Sequence, residues 1–378
     1  MRNTHFERYR LILMPLSPIH TGSGETIEPY EYVLERQGEN AFLHAINLPE
    51  LLAHLSPDER RELDPMLERG YFPGLRSWLR SKARNHYRFS VLVQDGAFNE
   101  LQENQDNPKR LGQIDLMTRH PDTGNPFIPG SSIKGAVRTA IVDRAACTGD
   151  QRKLEGISKK KNSALFEAHA LGHIDIDHRS QREKMNLYRD PLRQIAFSDC
   201  ALPDDGTYID RVQIVKQLHS KDRLGSADPD KIQIHRDVTW SMLDGESNPA
   251  VGECRIYHQL CEKKGRDNRY AVSRNFTMQD VISACNDYYR EEVEIQLDEF
   301  TERNRENDET VRQPLLTETR NLQENECIIR LGRHSHFECV VMSKPFNLSP
   351  DKGYGSTRTY VDGRFPLGWA KLRFEPWS

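Results

Sequence analysis

Several things are scarce in this sequence, and each scarcity excludes a class of protein. No apolar run reaches the roughly 18 residues that a membrane-crossing helix needs. Mean hydropathy is −0.76. The N-terminal MRNTHFERYR is charged, and the LILMPL after it is too short for the apolar region of a signal peptide. No membrane span is expected. Cysteine is sparse, with seven in 378 residues and no CxxC pair. That argues against a disulfide framework and a thiolate zinc knuckle, and it suits a reducing cytoplasm. No excess of positive charge exists: 53 Lys+Arg against 57 Asp+Glu leaves −4. A protein that coats duplex DNA non-specifically would be basic. There is no G-x4-G-K-[ST] phosphate loop, because Lys134 follows Gly130 too closely and is itself followed by Gly135. There is also no aromatic RNP1 pattern, so base stacking on a sheet face is not expected.

What is present is local polarisation of charge. Residues 76–88 hold five basic groups and no acid. Residues 131–193 hold 13 basic and 8 acidic groups, and residues 287–310 hold 3 basic and 10 acidic. Such a chain can hold a polyanion on one face and present another to protein neighbours. At about 150 residues per domain, the length implies two to three domains.

Residues 6–14 read as a strand ended by Pro15, and residues 30–46 as a hairpin around Gln37-Gly38. LPELLAHL (48–55) reads as a short helix, and Ser56-Pro57 starts another. Residues 75–88 have helical spacing, with Arg76, Arg80, Arg84 and Arg88 as one basic stripe. Residues 95–112 and 149–163 read as polar loops. Residues 128–146 read as a turn and a helix. Strand-like pieces recur at 191–217, 231–240, 251–260 and 268–274. Thr277 caps a long helix with Ile282, Cys285, Tyr289, Val293, Leu297 and Phe300 on one side. The stretch 326–374 reads as short strands and Gly-rich turns. Irregular alternation of strands and helices with hairpins predicts an α+β architecture of antiparallel sheets with helices on one face.

Three segments carry candidate chemistry. In Pro129–Arg138, Ser131 or Ser132 can cap the helix, and Lys134 and Arg138 lie one turn apart. Free N–H groups at a helix start attract phosphate, although an ordinary capped helix has the same residues. His20-Thr21-Gly22-Ser23-Gly24-Glu25 follows a strand, and its glycines let backbone approach a ligand closely. The C-terminal set is Leu331-Gly332-Arg333-His334-Ser335-His336, Gly353–Arg358 and Pro366–Trp369. Two metal constellations are weighed against surface histidines: His169, His173, Asp175, Asp177 and His178, and His334, His336 and Cys339. Neither has the closed tetrahedral set of a structural zinc site, and no cofactor is expected.

Read in order, LSPIHTGSGE, FIPGSSIKGAVRTA, RDPLRQIAFSD (189–199) and IRLG…PLGWA resemble the RAMP superfamily of CRISPR effector proteins. Within it they resemble the type III-A subunit that caps the effector backbone. The resemblance implies two ferredoxin-like (RRM-type) domains: residues 1–205 with a helical insertion at 48–112, and residues 206–378 with the long helix 278–303. It implies a non-catalytic subunit that binds crRNA near its 3′ end and aids its maturation. Its implied partners are crRNA, target RNA, backbone RAMP and small Csm-type subunits, and trimming nucleases. Implied RNA contacts are His20, Gly22, Ser23 and Gly24; Ser131, Ser132, Lys134 and Arg138; and Gly332, Arg333 and His334, with Arg76, Arg80 and Arg84 as a basic stripe. Arg333, His334 and His336 stand where the family has small residues, which implies side-chain contacts there. Sequence-tolerant binding of this kind rests on phosphate and 2′-OH contacts. The enzymatic alternative is a metal-independent endoribonuclease with His20 as general acid or base, aided by Lys134 or Tyr30. Asp115 is the one acid near the central helix that a target-cutting role would use.

Overall fold

The apolar run after the charged N-terminus forms strand β1 (Phe6–Pro15), with Leu11 and Leu13 fully buried on one face. A computed structural model describes residues 5–70, 72–104, 112–158, 163–177, 179–216, 234–245, 248–261, 271–301, 308–332 and 357–377. With elements numbered along the chain, β1 lies inside a first sheet. Its other strands are β7 (Phe127–Ile128), β10 (Ile195–Phe197), β11 (Cys200–Ala201), β14 (Ala250–Tyr257), β15 (Glu326–Arg330) and β18 (Trp369–Pro376). The spatial order is β15-β18-β1-β14-β11-β7, with β10 also on β14, and every pairing is antiparallel.

Of the helices that fall between these strands, α5 (Gly130–Cys147) and α8 (Met278–Thr301) are the longest two described. The run β1-α5-β10-β14-α8-β18 is the β-α-β-β-α-β pattern of ferredoxin-like folds. Val137 and Ile141 of α5 and Val281, Cys285 and Tyr289 of α8 share one core with Leu11, Leu13, Ile329 and Trp369. The Tyr289 hydroxyl donates to the Ala136 carbonyl at 3.0 Å and ties the helices together. Thr277 caps α8 as expected: the Asp280 amide donates to its Oγ1, and its own amide donates to the Asp280 carboxylate.

The second sheet holds β2 (Gly22–Ile27), β3 (Tyr32–Gln37), β4 (Asn40–Ile46), β5 (Tyr87–Val93), β6 (Ile114–Met117), β12 (Thr207–Lys216), β13 (Ile234–Thr239), β16 (Thr357–Val361) and β17 (Phe365–Pro366). Its main path is β2-β6-β13-β12-β5-β4-β3. The expected hairpin is β3–β4, turned at Gly38 with φ +63°. Two pairs, β12/β5 and β13/β6, are parallel, which departs from the all-antiparallel expectation. Between β4 and β5 lie α1 (Leu48–His54), α2 (Pro57–Arg69) and α3 (Phe72–Lys82), packed through Leu51, Leu63, Trp78 and Leu79. The Ser56 start of α2 is a full capping box with Glu59.

Other expectations need correction. The boundary at 205/206 does not divide the sheets. Strand β1 pairs with β14 and β18, and β12 and β13 pair with β5 and β6, so each sheet draws on both halves. The insertion 48–112 contains β5 and β4's pairing with it. Residues Asp95–Glu103 form helix α4 because Ala97, Phe98 and Leu101 share a buried face. Gln151–Ser158 is helix α6, followed by α7 (Ser163–Leu171); β8 (Ile174–Ile176) and β9 (Glu183–Met185) pair as a small hairpin. Residues 271–274 are not a strand, and the chain after α8 includes α9 (Gln313–Arg320), a helix not expected from the sequence. The basic stripe breaks up as well. Helix α3 stops at Lys82, Arg84 sits in a single 3-10 turn, and Arg88 lies on β5, paired with Glu25 at 2.6 Å.

Asp210 on β12 is a buried carboxyl whose pKa rises from 3.8 to about 7 through burial, with Asp362 and Asp244 adding repulsion. The folded state therefore holds a proton that the unfolded chain loses near pH 4. Between about pH 4 and 7 this group destabilises the fold progressively as pH rises. Asp210→Asn removes that loss and still offers an oxygen to the Arg211 amide, which Asp210 accepts at 2.7 Å. The variant gains about 4 kcal/mol over the parent at pH 8 and about half of that or less at pH 5. Urea unfolding at both pH values checks this, and an equal effect at both would refute it.

Candidate nucleic-acid interface

Three distant turns of the chain are stitched together by main-chain hydrogen bonds. The amides of Leu16 and Ser17 donate to the Trp369 carbonyl at 2.9 and 3.2 Å, and the Gly368 amide donates to Pro18 at 2.8 Å. The Leu331 amide donates to the Gly368 carbonyl at 2.8 Å. The Trp369 amide donates to Ser17 Oγ at 3.0 Å. The LSPIH turn, the IRLG end and the PLGW start therefore form one unit. Gly332 fits because it has no side chain. Its φ is +92°, and a Cβ would stand 2.3 Å from the His20 carbonyl oxygen.

The Gly-rich turn splits into an inner and an outer part. His20 is 2% exposed, and its Nδ1 lies 2.8 Å from the Asp237 carbonyl oxygen. Burial lowers its pKa, so the ring is held neutral. Both roles expected of this side chain need a ring that reaches the surface, whereas this one is buried with its Nδ1 turned to the Asp237 carbonyl. Tyr30, its proposed helper, packs against the α1–α3 cluster. Gly22, Ser23 and Gly24, in contrast, are exposed on β2. The Thr118 amide donates to the Thr21 carbonyl at 2.9 Å, and the Phe127 amide donates to Thr118 at 3.0 Å. This ladder hangs β7, and with it the start of α5, beside the first turn.

The start of α5 is built differently from the expectation. Neither Ser131 nor Ser132 caps it; Pro129 holds the cap position, with no side-chain cap. The Gly130 amide donates to Asp199 Oδ1 at 2.8 Å instead. Arg138 is engaged by Asp190 at 2.9 Å and by Glu167, so it is a structural cation and not a free phosphate ligand. Lys134 differs. It is half-buried, burial lowers its pKa, and among the described residues no carboxylate pairs with it. Ser131 is exposed and Ser132 half-buried next to it.

The remaining residues divide clearly. Arg76 and Arg80 are half-buried on α3, where their charges act on the buried Tyr32 hydroxyl, and Arg84 is exposed. Asp115 accepts from Thr26 Oγ1 at 2.8 Å and pairs with Arg236 at 2.9 Å, so it is locked in β6–β13 contacts. His169 Nε2 lies 2.9 Å from a Glu183 oxygen, while His173 is fully buried; among the described residues the two do not converge with Asp175 on a metal-sized site. Asp177 accepts the amides of Arg179 and Ser180. His178, Arg333, His334, His336 and Cys339 lie outside the described residues.

The acids that sequence reasoning passed over are Asp190 and Asp199, which fix α5, and Asp237, which is fully buried against Arg119. The first two stand in the quoted RDPLRQIAFSD, and an acid next to the approaching positive helix start was the available signal. Nothing local marks the Arg119–Asp237 pair, whose members are 118 residues apart.

A βαββαβ sheet joined to a second, larger sheet, with helices packed against it, defines a ferredoxin-like α+β protein. The RAMP superfamily model matches residues 13–333, and the chain belongs to that superfamily. Among curated proteins it is similar to the "CRISPR system Cms protein Csm5" of Streptococcus thermophilus, 27% identical over 153 residues. That match covers 36% of this chain and spans 39% of the relative's length. In fold it is similar to a chain of the cryo-EM Csm–crRNA–target RNA ternary complex of a type III-A CRISPR-Cas system. There the TM-score is 0.65 at 17% identity, covering 97% of this chain and 100% of the other. It is also similar to the crystal structure of T. onnurineus Csm5, with TM-score 0.61, 18% identity, and 95% and 99% covered. Among the described residues no helix is long and apolar enough to cross a membrane.

Proposed function

We propose that this chain is a Csm5-like, non-catalytic RNA-binding subunit of a type III-A effector complex. In this reading it binds crRNA near its 3′ end, caps the backbone of RAMP subunits and aids crRNA maturation. Its partners are crRNA, target RNA, the backbone RAMP and the small subunit. The observation that carries the reading is Lys134, a partly desolvated cation in the first turn of α5 that makes no ion pair among the described residues and feels Asp190 only from a distance. A half-buried ammonium without an ion pair is stabilised by an incoming anion, and a phosphate suits it. Exposed Ser131 and the exposed Gly22–Gly24 edge supply neutral hydrogen-bonding groups in the chain segments that the Thr21–Thr118–Phe127 ladder joins. Such contacts hold a ribose–phosphate strand without reading bases. A nuclease role finds no support in His20 or Asp115, both of which are committed to internal partners.

The isolated chain binds single-stranded RNA weakly and with marked salt dependence. Lys134→Ala reduces the slope of log K against log salt by about 0.7, the share of one single-strand phosphate contact. Filter binding over a salt series tests this. An unchanged slope and affinity would remove Lys134, and with it the proposed surface.

A further inference from the structure

The geometry points to a zinc-binding site formed by Glu50, His54 and His86, at the joint where the α1–α3 segment leaves and re-enters the second sheet. One ligand atom from each lies within 4.8 Å of the others, and among the described residues this is the group of that kind. Glu50 and His54 stand one turn apart on α1, so both point from the same side of the helix. His86 arrives from the turn between α3 and β5. Its carbonyl accepts the Asn47 amide at 2.7 Å, so the two chain segments are already held in register.

Three details fit a metal better than a chance meeting of surface groups. First, His54 Nδ1 lies 2.8 Å from the Glu50 carbonyl oxygen. That contact places the proton on Nδ1 and leaves the Nε2 lone pair for a cation, the arrangement typical of metal-ligating histidines. Second, Asn47 Nδ2 donates to Glu50 Oε2 at 2.8 Å, which orients the carboxylate and leaves Oε1 facing His86. Third, His86 Nδ1 is a buried nitrogen with no hydrogen-bond partner, 3.6 Å from Glu50 Oε1.

A tetrahedral zinc ion with bonds of about 2.0–2.2 Å keeps its ligand atoms about 3.3–3.5 Å apart. The Glu50–His86 pair already has nearly that spacing. The imidazole of His54 has only to swing toward them by about an ångström. Two imidazoles and one carboxylate are the donor types zinc accepts, with water completing the fourth position. Bound there, the ion would clip α1 to the start of β5 and close the helical segment at its base. The site is independent of the RNA reading.

Calorimetric titration of tag-free, chelator-washed full-length protein with zinc chloride tests the inference. The parent binds one equivalent that is absent from His54→Ala and from His86→Ala, and Glu50→Gln weakens it at least tenfold. Zinc raises the melting temperature of the parent and leaves that of both alanine variants unchanged. His54 is exposed, so metal-free His54→Ala melts as the metal-free parent does, which separates lost binding from lost folding. Equal zinc uptake by parent and variants, or no uptake by the parent at micromolar zinc, would overturn the site.

Discussion

Gly332→Ala destabilises the fold by roughly 3 kcal/mol, from about 1–2 kcal/mol of left-handed backbone strain and a similar overpacking cost. The strain comes from φ +92°, and the overpacking from a Cβ 2.3 Å from the His20 carbonyl oxygen. The colliding atom belongs to backbone that is itself tied into the stitched turns, so it has little room to move. Gly245→Ala is the matched control. It has φ +77° and nothing within 4 Å of the added Cβ, so it suffers the strain alone, about 1 kcal/mol. Denaturant unfolding of both variants reads the difference. Equal losses would mean that Gly332 is not pressed against His20 and that the three turns do not form one unit.

The second large effect is at Asp237. Its side chain is fully buried, and one oxygen accepts from Arg119 Nε at 3.0 Å, Arg119 Nη2 at 2.7 Å and the Met117 amide at 3.2 Å. Arg119 also donates to the Gly124 carbonyl and Thr207 Oγ1 and lies over the Phe89 ring, so it cannot swing out to solvent cheaply. Asp237→Ala leaves this guanidinium buried and unpaired, at about 3–5 kcal/mol. The double change Arg119→Met with Asp237→Leu recovers a good part of that, because no charge is then stranded. Thermal unfolding of the single and double variants decides it. A double variant less stable than the single one would show that the pair contributes more than it costs to bury.

Local structure was legible wherever one short stretch decides the outcome. The strand at 6–15, the turn at Gly38, the capping boxes at Ser56 and Thr277 and the helix after Pro129 all follow from neighbours a few residues apart. The α+β class followed from their alternation. The sheet assignments did not, because β1 finds its partners at 250–257 and 370–376, and no local pattern encodes pairing over such separations. The same limit governed the candidate site. Glycines marked the turns correctly as places of close approach, yet what approaches at Gly332 is the chain's own His20 backbone. Arg138 had the spacing of a phosphate ligand, but its partners Asp190 and Glu167 lie 52 and 29 residues away. Lys134 shares the same helix face but makes no ion pair among the described residues, a difference that only the packed structure reveals.

The central claim is that the exposed Gly22–Gly24 edge and the Ser131–Lys134 helix start together hold an RNA backbone. Photocrosslinking within the assembled complex tests it most directly, using crRNA with 4-thiouridine placed one position at a time. The account predicts crosslinks from nucleotides near the 3′ end to peptides containing residues 22–24 and 131–134. Crosslinks that fall only on other surfaces of this chain, such as the acidic α8, would contradict it.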